Sequence, residues 1–195
     1  MEQLFSDPFI WFDAWLAEAS ATEMIDPNAM CLSTVGDDGM PSSRMVLLKG
    51  RDPNGFVFYT NLQSQKGHQL LEHGKACLNF FWRDQGRQIR IQGVAELVDD
   101  ATADEYFASR ARGSQIGAWA SAQSRPLASR EEMILRTNRL EEEYEGRSVP
   151  RPSHWSGFRL VPTSIEFWQA GEFRLHDRFV FTKDEDAWKV SRLNP

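Results

Sequence analysis

Arg174, His176 and Arg178 are spaced two residues apart in Arg174-Leu175-His176-Asp177-Arg178, just past Glu166-Phe167-Trp168-Gln169. In an extended strand this spacing puts all three on one face and Leu175 on the other. Two guanidiniums and an imidazole on one side repel unless an anion lies between them. A phosphorylated ligand supplies that charge, and arginine grips phosphate through paired hydrogen bonds. A solvated strand neutralised by Asp177 or Glu172 explains the same spacing, and the residues alone leave both readings open.

Other segments carry similar chemistry. Arg44-Met45-Val46-Leu47-Leu48-Lys49 is an apolar strand with a cation at each end. The odd separation predicts Arg44 and Lys49 on opposite faces unless a bulge intervenes, so that each serves a different anion or simply solvates a strand end. Tyr59-Thr60-Asn61 and Ser64-Gln65-Lys66 gather hydroxyl, amide and ammonium groups at a strand-to-helix junction, where a helix N-terminus favours phosphate; the same residues also make ordinary caps. Arg87-Gln88-Ile89-Arg90-Ile91-Gln92 alternates, with Ile89 and Ile91 inward and Gln88, Arg90 and Gln92 outward. Tyr106 and Arg110 are neighbours on a predicted helix, and Ser114 lies about a turn further. Gln123-Ser124 follows an apolar run. There is no nucleophile triad, and His68, His73 and His154 stand alone as surface or structural residues. Asp26, before Pro27, suits a turn or a proton acceptor.

These groups need a scaffold to hold them. The chain has 195 residues, 41% hydrophobic and 12% aromatic, enough for one domain with a full core. Its net charge of −6 argues against a general nucleic-acid binder, while its basic residues are clustered, which suits small anions in pockets. No run reaches membrane-span length. The start, Met1-Glu2-Gln3-Leu4-Phe5, lacks signal-peptide order. Cys31 and Cys77 are widely spaced, which predicts reduced thiols in a cytoplasmic protein.

Asp7-Pro8 predicts a helix over 8–21 with Phe9, Phe12, Leu16 and Ala19 on its apolar face. Strands follow at 29–35, 42–49 and 56–61, with Gly36-Asp37-Asp38-Gly39 and Asp52-Pro53-Asn54-Gly55 as turns. Ser64 caps a short helix through Leu71, stopped by Gly74. Strands at 75–82 and 87–98 precede helices near 101–110, 114–121 and 129–145, the last with a capping box at Ser129 and Glu132. Strands near 156–161, 164–169, 175–182 and 187–193 close the chain. So many short antiparallel strands predict a mainly β fold, closed into a barrel with flanking helices.

In order along the chain, RMVLLK (44–49), FYTN (58–61), RQIRIQG (87–93), YFASR (106–110), SQIGAWAS (114–121), QS (123–124), VPRP (149–152), IEFWQ (165–169), RLHDR (174–178) and the closing RLNP make a set. As a set, this sequence resembles the pyridoxine/pyridoxamine 5′-phosphate oxidase family from about residue 7 onward. The resemblance implies a single FMN-binding split β-barrel domain over 1–195, with a C-terminal dimerisation region about 150–195, and a homodimer with two shared sites. By match, Arg44, Met45, Val46, Leu47, Leu48 and Lys49 hold FMN, with Tyr59, Thr60, Gln65 and Lys66. Gln88, Gln123, Ser124, Trp168 and Arg178 complete that set, and Gln123, Ser124, Trp168 and Arg178 are expected on the subunit opposite Arg44 and Lys66. The substrate phosphate falls to Lys49, Tyr106, Arg110 and Ser114, and Arg174 and His176 lie over the pyridine ring as catalytic residues. No metal is implied.

The implied reaction oxidises pyridoxamine or pyridoxine 5′-phosphate to pyridoxal 5′-phosphate, with O2 reduced to H2O2. Three departures stand out: Gln65 replaces a frequent arginine, Ala111 replaces a common proline, and the basic arm that often precedes the first helix is not seen. The same barrel with another substrate, as in phenazine biosynthesis, and a non-catalytic flavin or pyridoxal-phosphate carrier are the alternatives.

Overall fold

The computed structural model describes residues 7–22 and 25–195. Helix α1 spans Pro8–Thr22, and the Asp7 carboxylate accepts from the Phe9 amide at 2.8 Å, as the Asp-Pro start requires. Its inner face is Phe9, Phe12, Trp15 and Ala19; Trp15 takes the buried place expected of Leu16, which is only partly covered. Trp11 stacks on Phe167 with ring centroids 4.4 Å apart. Phe12, Phe56, Phe58, Phe80, Phe158, Phe167 and Phe181 are fully enclosed, each such ring contributing roughly 1.5–3 kcal/mol on burial.

The strands are β1 (Ala29–Val35), β2 (Pro41–Leu47), β3 (Gly50–Asp52), β4 (Gly55–Asn61), β5 (Lys75–Trp82), β6 (Arg87–Leu97), β7 (Trp155–Gln169), β8 (Asp177–Asp184) and β9 (Ala187–Arg192). All pairs are antiparallel, in the order β2-β1-β5-β6-β7-β4-β3, with β8 on β7 and β9 on β8. The two ends of this seven-strand path, β2 and β3, are consecutive in sequence. The sheet therefore curls until its edges meet, and residues 48 and 49 join them covalently without a ladder between them. This is a split barrel.

Residues 156–161 and 164–169 form one strand, not the two expected. Gly93 faces Pro162 and Gln92 faces Ser164, so Thr163 is the extra residue of a bulge that absorbs the proline. Gly93 is required there, since a Cβ would lie 2.1 Å from the Val161 carbonyl oxygen. Beyond the bend, β7 exchanges β4 for β8 as its neighbour on one side.

Helix α2 (Gln65–His73) begins at Ser64, whose Oγ accepts from the Gly67 amide, and ends at Gly74 with φ 64°. Helices α3 (Asp100–Ser109), α4 (Arg112–Ala120) and α5 (Arg130–Glu143) pack around Phe107, Ile116, Val149 and Trp155. Ser129 caps α5, but Glu132 reaches forward to Arg136 and does not close the expected box. Ala111 precedes α4 at φ −53° and ψ 138°, a conformation proline adopts without strain, and Arg110 before it is extended. Ala111→Pro is therefore expected to stabilise the fold by about 0.4–1 kcal/mol, seen as a raised Tm. A lowered Tm would show that the amide of residue 111 is needed.

Candidate functional site

Where the barrel seam meets α2, α3 and α4, there is a cavity of about 840 Å³. Among the described residues Arg44, Lys49, Lys66 and Arg110 line it, and no carboxylate does. Arg44 and Lys49 thus share one cavity and do not serve opposite faces. The ladder to β1 ends at Leu47; the Leu48 amide then donates to Asn28 O, and the Lys49 amide donates to Val57 O at 2.8 Å. The chain changes partner strands between them, which breaks the alternation.

Arg44 is steadied by its own sheet, donating to the Thr34 hydroxyl at 2.5 Å and to the Leu32 carbonyl. Lys66 Nζ donates to Gln123 Oε1 at 2.7 Å, and Thr60 Oγ1 reaches the same oxygen at 3.4 Å. Burial pushes Lys66 below the ordinary lysine range, and Arg44 nearby pushes it further. Burial likewise lowers Arg44. A smaller adjoining hollow is lined by Ser42, Ser43, Arg44, Gln65, Lys66 and Ser124. Gln123 and Ser124 therefore stand on the same chain as Arg44 and Lys66, which corrects their expected place on the opposite subunit. Ser121 at the end of α4 accepts from Asn61 on β4, so the turn carrying Gln123 is drawn to the barrel.

At the other cluster, Arg110 lies on the Trp155 ring, 4.7 Å from its centroid, and its Nη1 is buried without a hydrogen-bond partner. Burial lowers Arg110 as well. Tyr59, Tyr106 and Trp155 form a cluster of near-parallel rings, with Tyr59 4.0 Å from Tyr106 and 5.2 Å from Trp155. Burial raises the Tyr59 hydroxyl above its ordinary value, so it stays a neutral donor. Ser114 completes this wall. Trp155 was not singled out in the sequence; an aromatic at the start of an apolar strand reads as core.

Gln88, Trp168, Arg174, His176 and Arg178 are not among the cavity-lining residues. The strand expected over 175–182 begins at Asp177, and Glu172–Arg174 form a 3-10 turn, with φ 55° at Phe173 and 65° at Arg174. The shared face of Arg174, His176 and Arg178 is therefore not formed. Gly171 causes the fold-back, since a Cβ there would sit 2.0 Å from the Leu175 carbonyl oxygen. His176 Nδ1 lies 3.2 Å from the Gly171 amide, and its ring packs on Trp168. Arg178 alone lies in the strand, and Gln88, Trp168 and Arg178 form one cross-strand row on β6, β7 and β8. Asp26 is exposed in a turn at φ 42°, away from the cavity lining.

Of the other basic clusters, Arg87 ties α1 to the sheet through Glu18 and Gln169, and Arg112 binds Glu141 and the carbonyls of Tyr144 and Arg147. Their roles are structural. His73 pairs with Asp37, and His154 with the Ala118 carbonyl.

Residues 16–144 match the family described as pyridoxamine 5′-phosphate oxidase, and 155–195 match that described as the pyridoxine 5′-phosphate oxidase C-terminal dimerisation region. A pyridoxine/pyridoxamine 5′-phosphate oxidase of Myxococcus xanthus is 53% identical over 97% of this chain and 92% of its own. One from Rhizobium leguminosarum bv. trifolii is 54% identical over 97% and 93%. The crystal structure of PhzG from Burkholderia lata, in complex with tetrahydrophenazine-1-carboxylic acid, superposes with a TM-score of 0.92 at 34% identity, covering 97% of this chain and 93% of that one. The chain belongs to the pyridoxamine 5′-phosphate oxidase family.

Proposed function

We propose that this chain is an FMN-dependent oxidase of pyridoxamine and pyridoxine 5′-phosphates, acting as a homodimer. The observation that carries the proposal is the cavity lined, among the described residues, by four cations and no carboxylate, in which the Arg110 Nη1 lacks a partner. Like charges gathered on a half-buried wall repel one another, so the site is built for anions that arrive with the ligands. Two phosphorylated ligands, cofactor and substrate, answer to its two clusters.

FMN fits the first cluster. Arg44 and Lys66, beside the N-terminus of α2, suit its phosphate, and Tyr59, Thr60, Gln123 and residues 45–47 line the space beyond. Bound there, FMN would supply the acceptor for a hydride from the substrate C4′ and the means of passing the two electrons to O2, which leaves as H2O2. The chain's own residues bind and orient. Arg110, Tyr106, Ser114 and Lys49 grip the substrate phosphate, and the Trp155 ring keeps the Arg110 guanidinium in one plane. Gln88, Trp168 and Arg178 belong to the cavity of a second copy, brought there by the 155–195 region. Arg174 and His176 cover the substrate ring there. With pyridoxamine phosphate the carbon ends as an aldehyde after water releases ammonia.

A purified sample should be yellow and should release H2O2 on adding pyridoxamine 5′-phosphate in air. A flavin-loaded protein without turnover would leave a carrier. A flavin-loaded monomer in sedimentation would refute the shared site. The likeness to PhzG favours a second reading, an oxidase of a phenazine-type acid; faster turnover of such an acid than of pyridoxamine 5′-phosphate would establish it. The higher identity to the B6-phosphate oxidases, with the grip of Lys49, Tyr106, Arg110 and Ser114 present, supports the first.

The lowered pKa of Lys66 gives a pH signature. Phosphate needs the ammonium form, so FMN affinity should fall as pH rises through a window opening below the ordinary lysine value. Without ligand the sign reverses. The unfolded chain binds this proton more tightly, so the Lys66 contribution to stability rises with pH across the same window. Lys66→Arg should flatten the affinity profile; an unchanged profile would show that another group titrates.

A further inference from the structure

Glu166 is a charged residue in an apolar setting that the chemistry above does not use. It lies in Ile165-Glu166-Phe167, between two fully buried side chains, and its own side chain is only 5% exposed. It projects from the opposite side of the sheet to those two, the side carrying the Gln88, Trp168 and Arg178 row. Two guanidiniums converge on it from neighbouring strands. Arg178 Nε donates to Oε1 at 2.8 Å, with Nη2 of the same ion pair 2.7 Å from that oxygen, and Arg90 Nη2 pairs with Oε2. A third Arg178 nitrogen, Nη1, donates to the Asn194 carbonyl at 3.0 Å, and the Leu193 amide donates to the Arg178 carbonyl at 2.9 Å.

This arrangement is costly for stability alone. A buried carboxylate between two arginines is often no better than an apolar side chain of like size. It also leaves one positive charge uncancelled. What it does achieve is restriction. A guanidinium is planar with five N–H groups, and hydrogen bonds from Nε and Nη1 together with the Glu166 ion pair fix the plane of Arg178, so its other N–H groups have set directions. An arginine so held loses little further freedom on meeting an anionic or carbonyl-rich ligand.

We infer that Glu166, seconded by the Asn194 carbonyl, is a positioning residue that presets the Arg178 guanidinium for flavin. The inference rests on the flavin reading above. It assigns a purpose to the closing Arg192-Leu193-Asn194-Pro195 segment, whose backbone completes the clamp.

The test is a double-mutant cycle read by quenching of FMN fluorescence on titration into flavin-stripped protein. Glu166→Gln keeps the side-chain shape and removes the charge. It is expected to weaken FMN about tenfold, roughly 1.4 kcal/mol, with the wild-type assembly state retained. Arg178→Ala should weaken FMN at least as much. In the Arg178→Ala background, Glu166→Gln should change FMN affinity less than about twofold, because its effect acts through Arg178. The inference is overturned if Glu166→Gln binds FMN like the wild type, or if the two losses multiply in the double variant. If Glu166→Gln does not fold, Glu166→Asp, which keeps the charge but withdraws the oxygens, decides by the same cycle. A wild-type protein that does not bind FMN overturns the flavin reading itself, a result distinct from wild-type and variant proteins that bind equally.

Discussion

Arg110→Ala is expected to raise the KM for pyridoxamine 5′-phosphate about ten- to a hundredfold while leaving FMN affinity nearly unchanged. A charge-assisted contact to phosphate is typically worth roughly 1.5–3 kcal/mol, and Arg110 has a buried nitrogen free to make one. Its contact is to a part of the substrate that does not react, so KM should bear most of the loss and kcat little. The fold should tolerate the change, because the ring stack of Tyr106, Tyr59 and Trp155 beneath it is self-supporting. Lys66→Ala should show the reverse, weakening FMN and sparing the substrate. Steady-state kinetics at saturating flavin, beside FMN titrations, separate the two; equal losses of both ligands in both variants would refute the division of the cavity into two phosphate ends.

Arg174→Leu is expected to keep its yellow flavin and assembly state yet lose about a hundredfold in the rate of flavin reduction at saturating pyridoxamine 5′-phosphate. A misplacement of about 1 Å at the reacting carbon costs that much. The structure makes this variant a clean one. The turn is set by the Gly171 fold-back and the Leu175 amide bond to the Glu172 carbonyl, while the Arg174 side chain is exposed and holds nothing up. Leucine also meets φ 65° no worse than arginine does. Anaerobic stopped-flow reduction measures the step; reduction at the wild-type rate would make Arg174 a binding residue only.

What could be read from the sequence was local. Ser64 and Gly74 mark both ends of α2 because caps depend on neighbours in sequence, and the Ile89 and Ile91 alternation needs only one apolar face. The failures have two causes: a tight local approach that glycine alone permits, and a backbone contact made far along the chain. The two-residue spacing of Arg174, His176 and Arg178 imitates a strand, but Gly171 lets the chain fold back on Leu175. Pro162 looks like a strand end, yet a bulge opposite Gly93 carries it through. β3, three residues long, is held by β4 and has too little pattern to be seen alone. In the site, cations and hydroxyls were legible because apolar segments make them conspicuous. Gln123 lies far from Lys66 along the chain yet meets it at 2.7 Å, a proximity that sequence separation hides. Trp155 and Glu166 went unread because each is embedded in a hydrophobic strand.

The seam between β2 and β3 bears on how the molecule breathes. Its two edges share a peptide link but no ladder, so either edge can fray without breaking hydrogen bonds to the other. Amides of β2 and of β3–β4 should then exchange with solvent through separate local openings, each shallower than global unfolding. A ligand that touches Arg44 on one edge and Tyr59 and Thr60 on the other acts as a cross-brace. Once it binds, both edges should open only together, and deuterium uptake should slow across strands the ligand never contacts.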